Sequence, residues 1–232
     1  TITSKTKMIV LTTPSNPTGI VYTKEELTEI ANLLKGTNII ILSDEIYDRL
    51  IFDDLEFTSP ASISEDMLQR TITINGASKS AAMTGWRIGF IASKNKAFIK
   101  ATKKIQSQST SNPNSIAQQA CIKVFDGSIE KNIEQMRAKF QDRRDLALSL
   151  LNEIKGIKCN KPQGAFYLFV NISDIDKDCS KFCKNLLQEK GVALVPGIGF
   201  GSAGYFRMSY ATSEDNIKNG ISKIKEFIES SY

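Results

Sequence analysis

Lys79 stands in the stretch Thr73-Ile74-Asn75-Gly76-Ala77-Ser78-Lys79-Ser80, with other chemically capable residues at fixed distances around it. Asp44 and Tyr47, in Ser43-Asp44-Glu45-Ile46-Tyr47, precede it by 35 and 32 positions. Arg87, in Gly85-Trp86-Arg87-Ile88-Gly89, follows it by eight. Asn16 opens Asn16-Pro17-Thr18-Gly19, and Arg207 lies in Phe206-Arg207-Met208-Ser209-Tyr210. The chain has no histidine, which removes every Ser-His or Cys-His nucleophile arrangement. Proton transfer must therefore use lysine, tyrosine or carboxylates. Arg207 sits among apolar residues, where an unpaired guanidinium is costly to bury. Its planar fork matches a carboxylate, as substrate clamp or as structural salt bridge. Taken alone, Asp44 is a capping or loop aspartate, Tyr47 an interface tyrosine and Asn-Pro-Thr-Gly an ordinary turn. A lysine after a serine carries no information by itself.

These residues need elements to position them. A chain of 232 residues, 41% hydrophobic and 24% charged, can bury a real core. Apolar β-branched strings alternate with amphipathic stretches, which predicts an α/β fold. Met8–Thr12, Asn38–Leu42 and Thr71–Ile74 read as fully buried strands of a parallel sheet, and Arg87–Ala92 as a fourth. Asp44 would then follow the second strand, at the open end where such folds place ligands. Between the first two strands, Thr23 and Glu26 form a capping box ahead of the apolar face Leu27, Ile30, Ala31 and Leu34, with Gly36 as the stop. One long helix is expected over residues 128–154. A strand at Phe166–Val170, a helix around Ser180–Lys190, strands at Val192–Pro196 and Tyr205–Ala211, and a terminal helix bearing Ile217, Ile221, Ile224 and Ile228 complete a smaller α+β unit. The domain boundary is drawn at 140/141.

The net charge of +5 comes from lysines interleaved with acids, the pattern of solvated helix faces and not of a nucleic-acid footprint. No apolar run reaches membrane-spanning length, and no leader opens the chain, so a cytoplasmic protein is expected. Cys121, Cys159, Cys179 and Cys183 read as reduced, mostly buried thiols; without histidine their spacing makes no zinc site, and no metal is expected.

The motifs, in this order, resemble the pyridoxal-phosphate enzymes of the class I/II aminotransferase family, in particular the prokaryotic-type aspartate aminotransferases. The resemblance runs from about Thr13 to the last helix. It implies a fold-type-I transferase, with residues 1–140 in the large cofactor-binding domain and 141–232 forming the small one. Lys79 would carry pyridoxal phosphate as a Schiff base and then act as the base, since a primary amine can do both. Asp44 would pair with the pyridinium nitrogen, Tyr47 and Asn16 would bond the ring oxygen, and Ser78 and Arg87 would bind the phosphate. Arg207, with Asn16, would hold the substrate carboxylate. The resemblance also implies a cis Asn16–Pro17 bond, and a homodimer in which Gln106–Ser111, read as a polar loop, reaches the neighbouring subunit's site.

The implied reaction is ping-pong transamination between aspartate or glutamate and a 2-oxo acid such as 2-oxoglutarate. The same residues would equally serve a β-eliminating lyase or a related synthase of this fold. Against the family pattern, roughly 150 residues are missing before Thr1, about one domain's length. They would include the first strands of the sheet, the phosphate-binding helix N-terminus, the ring that stacks on the cofactor and the residues selecting a distal carboxylate. The third reading is accordingly an inactive fragment.

Overall fold

The computed structural model describes residues 2–232. The first apolar string forms β1 (Met8–Thr12), followed by α1 (Lys24–Leu34) and β2 (Ile40–Asp44). Both halves of the capping box form: Glu26 N–H donates to Thr23 Oγ1 at 3.2 Å, and Thr23 N–H donates to Glu26 Oε2 at 2.8 Å. Leu27, Ala31 and Leu34 of α1 pack with Leu11, Ile39 and Ile41 into one buried cluster. Next come α2 (Glu65–Arg70), β3 (Thr71–Gly76), α3 (Ala77–Ser80), β4 (Gly89–Ala92), α4 (Lys96–Ser109) and α5 (Ser115–Phe125). The strands run in the order β1-β2-β3-β4; the first two pairings are parallel, and β4 is antiparallel to β3.

Three expectations need correction. The second strand is displaced to Ile40–Asp44, so Ser43 and Asp44 lie within it. A buried serine is tolerated there because its hydroxyl donates to Glu45 Oε1 at 2.9 Å. The strands are not all buried: Val10 is 61% exposed and every residue of β4 is exposed, because β1 and β4 are the sheet's edges. Arg87 lies outside β4, with φ +54° ending a short 3₁₀ turn at Thr84–Trp86, a left-handed conformation foreign to strands.

The long helix is α6 (Glu130–Asn152). Beyond it lie β5 (Lys158–Cys159), β6 (Tyr167–Asn171), α7 (Cys179–Lys190), β7 (Val195–Pro196), β8 (Tyr205–Ser209) and α8 (Glu214–Ser231). Their sheet has the order β5-β6-β8-β7 and is antiparallel throughout. Gly191 stops α7 in the left-handed conformation. Phe182 of α7 stacks on Phe206 of β8 at 5.9 Å, and Phe227 of α8 meets it edge-on at 5.3 Å. Ile217, Ile221, Ile224 and Ile228 are all buried. Two compact units result. Ile20–Gln135 groups with the segment up to Pro14, and Met136–Tyr232 groups with Ser15–Gly19.

Candidate active site

Parallel pairing sets Asp44 at the end of β2 opposite Ile74 of β3. The chain leaving β3 turns directly into α3, so Ser78 and Lys79 follow from that same end of the sheet. Glu45 N–H donates to Ile74 O at 2.9 Å, and Thr13 N–H to Asp44 O at 3.1 Å, extending the ladder past Asp44 on both sides. Asp44 Oδ1 accepts from Ile46 N–H at 3.2 Å, which fixes the carboxylate at the strand end. Tyr47 is buried in the turn that follows.

The corner into α3 requires glycine. A Cβ on Gly76 would stand 2.6 Å from Ile88 O and 2.9 Å from Gly89 Cα, closer than backbone atoms allow. Gly76 N–H donates to Asn75 Oδ1 at 2.7 Å, and Asn75 Nδ2 donates to Asp48 Oδ2 at 2.9 Å. One amide side chain thus joins the Lys79 corner to the turn after Asp44. Sequence reasoning passed over this link, and over Glu45 beside it. Glu45 Oε1 accepts from Ser43 (2.9 Å), Ser59 (2.7 Å) and Thr73 (3.5 Å) hydroxyls. Burial nevertheless raises its carboxyl above the ordinary range, and burial raises Asp48 as well. Asp48 Oδ1 is buried without a hydrogen-bond partner.

Arg87 donates through Nη1 to Thr84 O at 2.8 Å. Together with Gly85, Trp86, Gln106, Asn112 and Asn114 it lines an open cleft of about 670 Å³. Gln106–Ser109 is the last turn of α4 and not a loop, and the Gln106 amide donates to Thr110 Oγ1.

In the second unit, Arg207 lies on β8 and Asn16 on the Ser15–Gly19 turn, where Asn16–Pro17 is cis, as is Thr13–Pro14 in the first unit. Arg207 Nη1 donates to Asn16 Oδ1 at 2.7 Å. Arginine has no acceptor, so Asn16 must present its oxygen here and keeps its Nδ2 hydrogens for another partner. The guanidinium carbon lies 4.3 Å from the Tyr167 ring centre and 5.1 Å from that of Phe200. Two rings therefore flank the cation and hold it by quadrupolar attraction. Tyr167, in the expected strand Phe166–Val170, was the available signal for one side of this frame, though nothing in the sequence paired that strand with the one bearing Arg207.

The structure thus groups Asp44, Tyr47, Ser78, Lys79 and Arg87 in one unit, and Asn16 with Arg207 in the other. Residues 1–224 match the family described as aminotransferase class I and II. The chain is 46% identical over 233 residues to the aspartate aminotransferase of Bacillus subtilis (strain 168), covering 98% of itself and 59% of that protein. It is 47% identical to a probable aspartate/prephenate aminotransferase of Rickettsia prowazekii (strain Madrid E), covering 97% of itself and 58% of that protein. Its fold superposes on the Thermus thermophilus aspartate aminotransferase solved with maleate with a TM-score of 0.90 at 39% identity, covering 97% of this chain and 58% of the other. The chain belongs to the class I and II aminotransferase family, and spans about three fifths of the length of these relatives.

Enzymes of this family depend on pyridoxal phosphate. The donor set in the first unit fits that group. It offers a strand-end carboxylate for a ring nitrogen, an amine for an aldehyde, and a hydroxyl and a guanidinium for a phosphate. Gly76, whose Cβ would strike Ile88 O, keeps the amine-bearing corner tight.

Proposed function

We propose that the protein is a pyridoxal-phosphate aminotransferase that exchanges the amino group of aspartate or glutamate with a 2-oxo acid such as 2-oxoglutarate. The observation that carries this reading is the register of β2 and β3, which brings Asp44 and the Lys79 corner to one end of the sheet. Dicarboxylate preference is supported by the names of the relatives and by the maleate of the Thermus structure. The β-eliminating alternative has no comparable support.

Lys79 would hold the cofactor through Nζ, and the same amine, when free, would take the proton from the substrate Cα. Asp44 holds the proton on the ring nitrogen. When bound, the cofactor supplies an electron sink for the pair left at Cα. Tyr47 would donate to the ring oxygen, with Asn16 as a second donor, and Ser78 and Arg87 would hold the phosphate. Arg207, turned by Asn16 and flanked by Tyr167 and Phe200, would bind the α-carboxylate as a fork. The two half-reactions are ping-pong: the first amino acid leaves as its oxo acid while its amino group stays on the loaded enzyme, and the second oxo acid takes up that group and leaves as an amino acid.

We place the enzyme in the cytoplasm as a homodimer. No described helix is long and apolar enough to cross a membrane. All four cysteines are free thiols, and burial pushes Cys159 and Cys183 up to about 12, which suits a reducing compartment.

The deciding experiment uses protein expressed from its complete reading frame, with pyridoxal phosphate and borohydride, followed by peptide mass mapping. The expected product carries the pyridoxyl mass on Lys79, and Lys79→Ala carries none. An adduct on another lysine overturns the assignment. An amino-acid panel with 2-oxoglutarate and prephenate as acceptors then tests the substrate class. Elimination products without amino transfer would favour the lyase.

A further inference from the structure

Arg144 of α6 is the largest side chain without exposed surface among the described residues, and the proposed chemistry does not use it. A buried guanidinium is costly unless its donors are paired. Arg144 Nε and Nη2 meet Asp145 Oδ1 at 2.9 and 2.8 Å, and Nη1 donates to Pro162 O at 3.0 Å. Three residues on, Tyr210 Oη donates to Ala165 O at 3.3 Å. Both ends of the turn 162–165 are therefore gripped from behind.

The middle of that turn faces Gly19. Gln163 and Gly164 N–H both donate to Gly19 O at 2.9 Å, and Gly19 N–H donates to Ser15 O at 2.7 Å, closing the short turn around Asn16. The approach is close enough to demand glycine: a Cβ on Gly19, at φ +69°, would sit 2.4 Å from Pro162 Cβ and 2.6 Å from Gly164 O. Asn16 in turn holds Arg207. We propose that Arg144 is a positioning residue: it braces the 162–165 turn against Gly19, and so fixes Asn16 and, through it, the orientation of the Arg207 fork. The catalytic consequence rests on the function proposed above; the bracing itself does not.

The Asp145 side chain is 50% exposed, so removing the guanidinium returns its carboxylate to water and leaves no unpaired charge buried. Arg144→Met should therefore fold, while loosening Asn16. In the cofactor-loaded protein from the complete reading frame, KM for the amino acid should rise about ten-fold, with a smaller change in kcat. A merely structural loss would reduce the active fraction and leave KM alone. In an Asn16→Ala background, Arg144→Met should add less than about two-fold, since its effect passes through Asn16. An equal penalty in both backgrounds, or an unchanged KM, overturns the proposal. If Arg144→Met does not fold, Gly19→Ala decides, with the same rise in KM expected from a folded variant and an unchanged KM overturning the idea. Hydrogen exchange supplies the arm that needs no substrate. The Gln163 and Gly164 amides should exchange at least about ten-fold faster in Arg144→Met than in the parent, beyond any change in α8. Equal protection sinks the bracing. A parent protein that transfers no amino group sinks the proposed function, and the exchange arm still decides the brace.

Discussion

Asp44→Ala is expected to lower kcat by roughly a hundred-fold to a thousand-fold, the scale of removing one group that stabilises developing charge. Cofactor retention, followed by absorbance after gel filtration, should fall far less, because Lys79, Ser78 and Arg87 remain as anchors. For Arg207→Ala, the loss of one partner of a desolvated charge pair costs about 2–5 kcal/mol, or roughly thirty-fold to several-thousand-fold in kcat/KM. Steady-state kinetics with aspartate and glutamate check it. Glu45 makes a prediction in pH. Its folded-state carboxyl is raised by burial, so its stabilising contribution is present below the ordinary carboxylate range and is lost as pH rises through the raised value. Denaturant melts of the parent should therefore gain on Glu45→Gln as pH falls from 7 towards 4.5, and a constant difference would contradict the burial argument. The residues of the candidate site were legible through the order of their motifs and the family resemblance it carries, since each taken alone has an ordinary structural reading. Arg144 was not, since in Arg143-Arg144-Asp145 it looks like any solvated helix charge, and only packing distinguishes it from Arg143.

The β3–α3 corner behaves as one mechanical piece. Gly76→Ala forces a Cβ to 2.6 Å from Ile88 O, and backbone cannot yield as a side-chain tip does. Overpacking of this kind costs about 1–3 kcal/mol, which lowers Tm by several degrees in a domain of this size. Differential scanning calorimetry reads it, and pyridoxyl labelling at Lys79 should slow in parallel. α1 tests local encoding instead. Thr23→Ala removes half of the capping box and should cost about 1 kcal/mol without touching cofactor binding. Elements with a two-sided pattern were readable: α1, α6, α7 and α8 carry apolar faces that the core accepts. Others were not. The end of β2 hid behind Ser43, whose burial becomes acceptable only once Glu45 is known to receive its hydroxyl. Gly89–Ala92 looks like a core strand by composition, yet it forms an exposed edge, since a strand's neighbours are set by topology. α4 was passed over although Phe98, Ile99, Thr102 and Ile105 fall at helical spacing, and it buries none of its residues.

At the scale of the whole molecule, the second unit is not contiguous in sequence. Ser15–Gly19 belongs to it, although the residues on either side belong to the first unit. Asn16 and Arg207 are 191 positions apart, and no local propensity in either segment hints that they meet. Loop closure over such separations is slow relative to helix formation. In refolding followed by pulsed hydrogen exchange, the Gln163 and Gly164 amides should gain protection after those in the middle of α6. Simultaneous protection would argue against a late clasp. The same discontinuity sets a schedule during synthesis. Gly19 leaves the ribosome 145 residues before Gly164, and at about 5–20 residues per second that is a wait of roughly 7–30 s. Throughout that interval the Asn16 turn has no partner to receive it, so a chaperone or a protease meets it as bare chain.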